Sequence, residues 1–394
     1  MGDLLQRQVS NRLPMPDLDE LRHRLRTGSP LLGVPTVAEW LTAWLAKIKV
    51  DESTLRSYES QVRTHLIPHL GDIVLDRLRP HHIEDLFDRI EARNTTICEA
   101  QASNDPAVRA SVRGLKVTGP ATVARARGTL RKAFNDALAR EIITGTANPA
   151  SLIKTANPRP RPVVWEPERI ARWKTTGHVP SPVMVWPPAL AREFLDFAAE
   201  HSPDLHPMLH FMTYRGPRRG EACGLLDAEV RLGQHEVSIV NQLARYGGRL
   251  RQKPPKSESG NRDLILDADT VAVLKAYRAR RIAWQLKAGS TWPDTGLFFV
   301  RRNGKPWNPG TVSQAFRRLV ARAGLPPVRL HDLRHVAATV ALAAGVDIKV
   351  VSEQLGHSTT TLTRDTYQSV VKDVHHEAAA AVADVFRTNY GRKA

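Results

Sequence analysis

The sequence predicts a mainly α-helical protein with a small β-sheet, an α+β fold in which a helical domain precedes a mixed one. From Thr36 onward apolar residues recur every three or four positions, the spacing of an α-helix with one buried face. Around Gly247 and Gly248 alternating segments flank a glycine pair, which indicates a β-hairpin, and the helical spacing then returns. At about 100–200 residues per domain, 394 residues suggest two or three domains.

The first part of the chain divides into an extension and a helical domain. Residues 1–35 are mostly polar, and we predict an N-terminal extension there. Thr36 and Glu39 form a capping-box pattern, in which two residues satisfy each other's free amides at a helix start. From there we expect a helical domain over 36–155. Its predicted elements are a helix from Thr36, a helix over 53–66, a helix after Pro80, a long loop over 94–119 and a helix over 121–140.

The last of these helices is basic. It carries Arg125, Arg127, Arg131, Lys132 and Arg140. Such a stripe is typical either of a solvated surface or of a surface that follows DNA phosphates. The whole chain has 57 Lys and Arg against 40 Asp and Glu, an excess of 17 positive charges. Because this excess favours a polyanionic partner, we interpret the helix as a nucleic-acid surface.

A proline-rich segment separates the two domains. Residues 156–188 contain 8 of the 27 prolines, and proline stiffens and extends the backbone, so we predict a semi-rigid linker. The second domain is expected over 189–394. It begins helical, continues through strands over Val237–Leu243 and Arg262–Leu266, and ends in a helix with an apolar face over 379–386.

Composition excludes several classes of protein. The two cysteines, Cys98 and Cys223, are too few for a disulfide framework or a cysteine-based zinc site. No run of about 18 apolar residues occurs, and the N-terminus lacks the apolar stretch of a secretory signal. We therefore expect a soluble, intracellular, basic protein.

Two basic segments of the second domain carry candidate functional residues. In the string GPRRGE, Arg218 stands at a turn before a short helix, where a planar guanidinium suits a phosphate. The alternative for Arg218 is a surface salt bridge to Glu221. In the string KPPKSESGNR, Lys256 lies in a turn between strands and could reach a groove, whereas the alternative is an ordinary solvated loop.

Two further segments contain histidines. In HDLRH, His331, Arg334 and His335 are predicted to lie opposite the core-facing stripe of one helix. His331 and His335 have metal-ligand spacing, but Asp332 stands where zinc proteases need Glu, so we predict no metal site. The string LGHSTTTLTRDTY supplies the others, His357 in a bend and Tyr367 at the end of the next helix.

Together these strings resemble the boxes of the tyrosine recombinases, also called the phage integrase family, in order and spacing. Within that family, the resemblance over 36–385 is to integrases of actinobacterial phages and integrative elements. It implies a helical SAM-like core-binding domain followed by a tyrosine-recombinase catalytic domain. The implied site residues are Arg218, Lys256, His331, Arg334, His357 and Tyr367.

The resemblance also implies a role for each residue. Arg218 and Arg334 would clamp the phosphate oxygens, and His357 would donate a further hydrogen bond. Tyr367 would be the nucleophile that forms a 3′-phosphotyrosyl link, with His331 as its base. Lys256 would protonate the leaving 5′-oxygen, and Glu221 would orient the site. No cofactor and no metal are expected.

The implied function is site-specific DNA recombination, which integrates or excises a mobile element. The expected partners are double-stranded attachment sites and three further copies of the chain, joined through the C-terminal helix as a tetramer on DNA. An accessory excision or bending factor is a candidate partner, and the expected location is the cytoplasm, at the nucleoid. The alternatives are a type IB topoisomerase, a catalytically silent DNA-binding regulator and, least favoured, a metallohydrolase built on His331 and His335.

Overall fold

The computed structural model describes residues 34–144, 147–156, 160–255, 258–356, 359–360 and 364. The chain divides into two compact units, Met1–Arg159 and Pro160–Ala394. Along the ranges described, no helix combines the length and the apolar character needed to cross a membrane.

The described part of the first unit is helical. Its helices are α1 (Val37–Lys47), α2 (Glu52–Gln61), α3 (Ile67–Leu70), α4 (Pro80–Ala102), α5 (Pro106–Ser111), α6 (Pro120–Ala139) and α7 (Pro149–Leu152). A π-helical turn, Val62–Leu66, joins α2 to α3. The predicted capping box is present at the start of α1: the Thr36 amide donates to the Glu39 carboxylate over 2.8 Å, and the Glu39 amide donates to the Thr36 hydroxyl over 3.2 Å.

Two tryptophans of α1 tie that helix to α6. The Trp40 indole N–H donates to the Ala133 carbonyl over 2.9 Å, and the Trp44 indole N–H donates to the Asp136 carboxylate over 2.8 Å. Both indole rings are buried in the core of this unit, next to apolar residues such as Leu130. The indoles therefore bury large apolar surface while their single polar group stays paired.

The prediction of a long loop over 94–119 is wrong for much of that stretch. Helix α4 continues to Ala102, and α5 follows it from Pro106. The Asn94 side chain then pairs with the backbone of Thr118, through bonds of 2.9 and 2.7 Å that fold the chain back on α4. Helical periodicity is weak here because Ile97 is one of the few buried apolar side chains in this stretch.

The second unit is a mixed α and β structure. Its strands are β1 (Val163–Val164), β2 (Met184–Val185), β3 (Val230–Arg231), β4 (Glu236–Ile239), β5 (Gln242–Tyr246), β6 (Arg249–Lys253) and β7 (Arg262–Ile265). Its helices are α8 (Pro167–Thr176), α9 (Pro188–His201), α10 (His206–Arg215), α11 (Arg219–Cys223), α12 (Ala268–Ala288), α13 (Pro309–Arg322), α14 (Leu333–Ala343) and α15 (Ile348–Leu355). This confirms the predicted fold class.

The strands form three small sheets. Strands β3, β4 and β7 make an antiparallel sheet in that order, β5 and β6 make the predicted hairpin around Gly247 and Gly248, and β1 pairs in parallel with β2. The single strand expected over Val237–Leu243 is divided into β4 and β5. At the break, the Asn241 side chain donates to the Gly224 carbonyl over 2.7 Å, which bends the chain toward α11.

The segment expected to be a linker, 156–188, is largely part of the second unit. Trp165 and Trp186 are fully buried, and their indole N–H groups donate to the carbonyls of Pro327 and Pro326 over 3.2 and 2.8 Å. Two prolines of this segment also begin helices, which shortens the extended stretch that the proline content predicted. Pro167 opens α8, and a missing amide costs nothing in the first turn of a helix.

Candidate active site

Arg218 stands at the N-cap of α11, as its place in the sequence predicted. Its guanidinium donates to the Glu221 carboxylate over 2.7 Å, and its amide donates to the same carboxylate over 2.8 Å. The salt bridge considered as an alternative therefore exists, but Glu221 is buried while the Arg218 side chain is 42% exposed. The buried carboxylate of Glu221 thus holds the Arg218 side chain in place while part of that side chain stays exposed to solvent.

A second arginine shares that carboxylate. Arg262 donates to Glu221 over 2.8 Å and is buried beside it. Burial alone would raise the pKa of the Glu221 carboxyl, but the charges and hydrogen bonds of Arg262 and Arg218 outweigh burial and lower the pKa below its usual value. Glu221 is therefore ionised at neutral pH, which fits its expected orienting role.

Arg334 is buried in α14, with a relative exposure of 4%. The prediction that it lies opposite the core-facing stripe is wrong, because α14 is covered on most sides in its first two turns. Its guanidinium donates to the carbonyl of Gly216 over 2.9 Å. Gly216 ends α10 in the left-handed conformation, and a Cβ there would lie 2.8 Å from Leu355 and 3.2 Å from Ala337. Only a glycine at position 216 combines the left-handed backbone with such close packing against Leu355 and Ala337.

His331 lies in a short 3-10 turn, Leu330–Asp332, just before α14. The turn is fixed by Asp332, a buried carboxylate that accepts bonds from the Arg329 amide over 2.9 Å and from its guanidinium over 2.7 Å. His331 as a whole residue remains exposed. Desolvation and the positive charge of Arg334 nevertheless lower the pKa of His331, against the opposite effect of Asp332. The neutral imidazole, which can accept a proton, therefore dominates at neutral pH.

His335 stands one turn further along α14, with its ring nearly perpendicular to that of His331 and the ring centroids 5.8 Å apart. Burial and the neighbouring His331 and Arg334 lower the pKa of His335 to about 4, with Asp332 acting in the opposite direction. Among the residues that the structure describes, no group of three or more His, Cys, Asp or Glu side chains could hold a metal ion.

Arg218 and His331 line one cavity of about 710 Å³. Three more arginines line it: Arg219, Arg317 and Arg329. None of its lining residues within the described ranges carries a carboxylate. Sequence reasoning missed these arginines as site residues. A signal was present only for Arg219, which is adjacent to Arg218 in the sequence.

Three predicted site residues, Lys256, His357 and Tyr367, lie outside the described residues. The structure describes the chain up to residue 255 and again from residue 258, on either side of Lys256, and it describes the residue before His357. Gly356, the residue before His357, ends α15 in the left-handed conformation, and its carbonyl accepts a bond of 3.0 Å from Arg218. The predicted C-terminal helix over 379–386 also lies outside the described residues.

The basic helix of the first unit is only partly available to a ligand. Arg127 donates to the carbonyls of Ala150 and Ser151 over 2.9 and 3.2 Å and thereby fastens α7 to α6. Lys132 pairs with Asp136 at 2.6 Å. Arg125, Arg131 and Arg140 remain exposed. Arg127 therefore has a structural role, and the interpretation of this set as a surface that follows DNA stays a prediction.

Comparison with known proteins gives matches in both units. Residues 189–373 match the model of the phage integrase family, and residues 36–90 match the N-terminal SAM-like domain of phage integrases. An integrase of Saccharopolyspora erythraea is 28% identical over 386 residues, which cover 87% of this chain and 81% of the relative. A XerC-like tyrosine recombinase of Caldanaerobacter subterraneus is 27% identical over 183 residues, which cover 43% of this chain and 47% of the relative.

Solved structures show the same fold. The integrase of transposon Tn1549, in complex with transposon right end DNA, superposes with a TM-score of 0.62 at 19% identity, covering 87% of this chain and 99% of that one. A lambda integrase dimer bound to a COC′ core site superposes with a TM-score of 0.55 at 16% identity, covering 93% and 85%. With both family models matched in the predicted order, the chain belongs to the phage integrase family of tyrosine recombinases.

Proposed function

We propose that this site-specific recombinase is a DNA integrase that cuts and rejoins strands through a covalent 3′-phosphotyrosyl intermediate, and so integrates or excises a mobile element. The observation that carries the proposal is the cavity shared by Arg218 and His331, with its three further arginines and no carboxylate among its described lining. A phosphodiester spreads negative charge over its oxygens as it reacts, and fixed cations stabilise that state.

Two arginines form the proposed clamp. Arg218 is held by a buried carboxylate while its side chain stays partly exposed, and the buried Arg334 is held by the Gly216 carbonyl. A fixed guanidinium loses little side-chain entropy when it binds two phosphate oxygens. Because both guanidinium groups are already held in place, they can stabilise the negative charge of the transition state at little entropic cost.

The remaining steps use the other predicted residues. The Tyr367 hydroxyl, with a free pKa of about 10, gives its proton to the neutral His331 imidazole as its oxygen bonds to phosphorus. The bond from phosphorus to the 5′-oxygen then breaks, Lys256 protonates that oxygen, and His357 donates a hydrogen bond to the phosphate. The roles of Lys256, His357 and Tyr367 rest on the motif resemblance. The phosphotyrosyl bond conserves the energy of the broken strand, so ATP is not required.

We also propose the assembly. A lambda integrase tetramer bound to a Holliday junction superposes on this chain with a TM-score of 0.55 at 16% identity, covering 92% of this chain and 84% of that one. By analogy, four copies of this chain hold two duplex attachment sites, linked through their C-terminal helices. The proposed location is the cytoplasm, at the nucleoid, and an accessory bending or excision factor is a candidate regulator.

One experiment distinguishes this proposal from its alternatives. A supercoiled plasmid carries two directly repeated attachment sites, and a control plasmid carries none; both are incubated with the purified chain in EDTA without ATP. A recombinase deletes the DNA between the sites and leaves the control supercoiled. Relaxation of both plasmids would indicate a type IB topoisomerase, and binding without any strand exchange would indicate a silent regulator.

A further inference from the structure

Arg262 is a buried cation that the proposed reaction does not use. It opens β7, and its side chain is 7% exposed. Each side of its guanidinium is occupied: Nη2 donates to the Glu221 carboxylate over 2.8 Å, Nε to the Gln354 carbonyl over 2.7 Å, and Nη1 to the Gly260 carbonyl over 2.9 Å.

These three acceptors belong to separate segments of the chain. Glu221 is in α11 and holds Arg218. Gln354 is in the last turn of α15, three residues before His357. Gly260 ends a 3-10 turn, Glu258–Gly260, between β6 and β7, four residues after Lys256. One planar side chain therefore joins the arginine clamp to the chain segments next to Lys256 and His357, two other residues of the proposed site.

The packing around Arg262 is close enough to require a glycine. Gly356 has a left-handed backbone with φ of +66°, and a Cβ there would lie 2.7 Å from the Ser259 carbonyl oxygen and 3.0 Å from Nη1 of Arg262. The carbonyl of Gly356 in turn accepts the bond from Arg218. The end of α15 is thus held directly against Arg262 on one side and Arg218 on the other.

We propose that Arg262 is a positioning residue for strand cleavage: it fixes the 3-10 turn after Lys256 and the end of α15 before His357 in place relative to Arg218. The inference rests on the proposed function. Three bonds in different directions need a guanidinium, since an ammonium on a flexible stem is a point charge without that fixed geometry. Arg262→Lys therefore keeps a positive charge beside Glu221 but cannot make the three bonds that hold the Gly260 and Gln354 segments in place.

A matched control exists in the same unit. Arg281 is also buried, and it also donates to one carboxylate and two carbonyls: Asp227 over 2.7 Å, and Leu297 and Phe298 over 3.2 Å each. None of these acceptors touches Arg218 or Glu221 through a bond described above. Arg281→Lys thus reproduces the loss of a buried guanidinium network away from the clamp.

The test compares full-length wild type, Arg262→Lys and Arg281→Lys on a nicked attachment-site duplex, with binding and single-turnover covalent cleavage measured separately below the melting temperature of each variant. We expect Arg262→Lys to bind DNA as wild type does and to cleave at least about tenfold more slowly, because small misplacements of reacting groups are costly. Arg281→Lys should cleave at the wild-type rate. Equal rates for the two variants, or a loss of binding that accounts for the slower cleavage, would overturn the inference.

A second pair of variants covers the case in which Arg262→Lys does not fold. Gly356→Ala pushes a methyl group toward Arg262, whereas Gly345→Ala has the same kind of backbone, with φ of +76°, and open space around it. Slow cleavage with normal binding in Gly356→Ala alone supports the inference, and equal cleavage by the pair contradicts it. If wild type itself forms no covalent product, the proposed function fails first, and the inference fails with it.

Discussion

Replacing Gly216 with alanine tests how firmly the Arg334 site depends on close packing. Gly324 provides the matched control, since both glycines are left-handed, with φ of +65° and +66°, but only Gly216 has neighbours within 4 Å. Forcing an L-residue into this conformation costs about 1–2 kcal/mol at either position. At Gly216 the new Cβ also meets Leu355 at 2.8 Å and Ala337 at 3.2 Å, and overpacking of this kind costs a further ~1–3 kcal/mol.

Urea unfolding of the two full-length variants measures this difference, provided that the m-values match. We expect Gly216→Ala to be less stable than Gly324→Ala by about 1–3 kcal/mol. We also expect slower DNA cleavage in Gly216→Ala alone, because the Gly216 carbonyl holds Arg334. Equal stability and equal cleavage in the two variants would show that α10 and α14 are not held together at this point.

Three further predictions concern charge and proton transfer. Glu221→Gln leaves Arg262 buried without its anion and should lower the free energy of unfolding by about 3–5 kcal/mol at neutral pH. Because folding lowers the pKa of Glu221, the stability that its carboxylate contributes should be complete above the usual carboxyl pKa and should be lost in wild type as pH falls through the lowered value. Measuring the free energy of unfolding of both proteins at a series of acidic pH values tests this. Reversing the charges of Arg125 and Arg131 should flatten the log–log salt dependence of DNA binding by about 0.9 per lost contact, and an unchanged slope would place α6 away from DNA. Lys256→Ala should lose cleavage of normal DNA and regain it on a substrate with sulfur as the leaving atom, because a thiolate leaves without protonation; no relief would mean that Lys256 is not the acid.

Local signals in the sequence predicted local structure well. Thr36 and Glu39 stand three residues apart, and their capping box is present as expected. Arg218 was predicted at a turn before a helix and lies at the N-cap of α11. The paired glycines at 247 and 248 were predicted to turn a hairpin, and they join β5 to β6.

Long-range contacts account for what the sequence did not reveal. Arg262 meets Glu221 across 41 residues and Gln354 across 92, so no spacing pattern could indicate its role. Arg127 looks like its basic neighbours in the sequence, but its acceptor Ala150 lies 23 residues away. The proline-rich segment was misjudged for the same reason, because the carbonyls that hold Trp165 and Trp186 come from a distant loop.

The nucleophile is the central claim, and a covalent trap tests it most directly. Wild type and Tyr367→Phe are incubated with a nicked attachment-site duplex, the products are separated on a denaturing gel, and the protein–DNA adduct is digested and sequenced by mass spectrometry. Removing the one reacting oxygen should leave binding intact, so we expect both proteins to shift the duplex and only wild type to form the adduct, with the nucleotide on the peptide that contains Tyr367. An adduct formed by Tyr367→Phe, or a nucleotide attached to another residue of the wild type, would contradict the account.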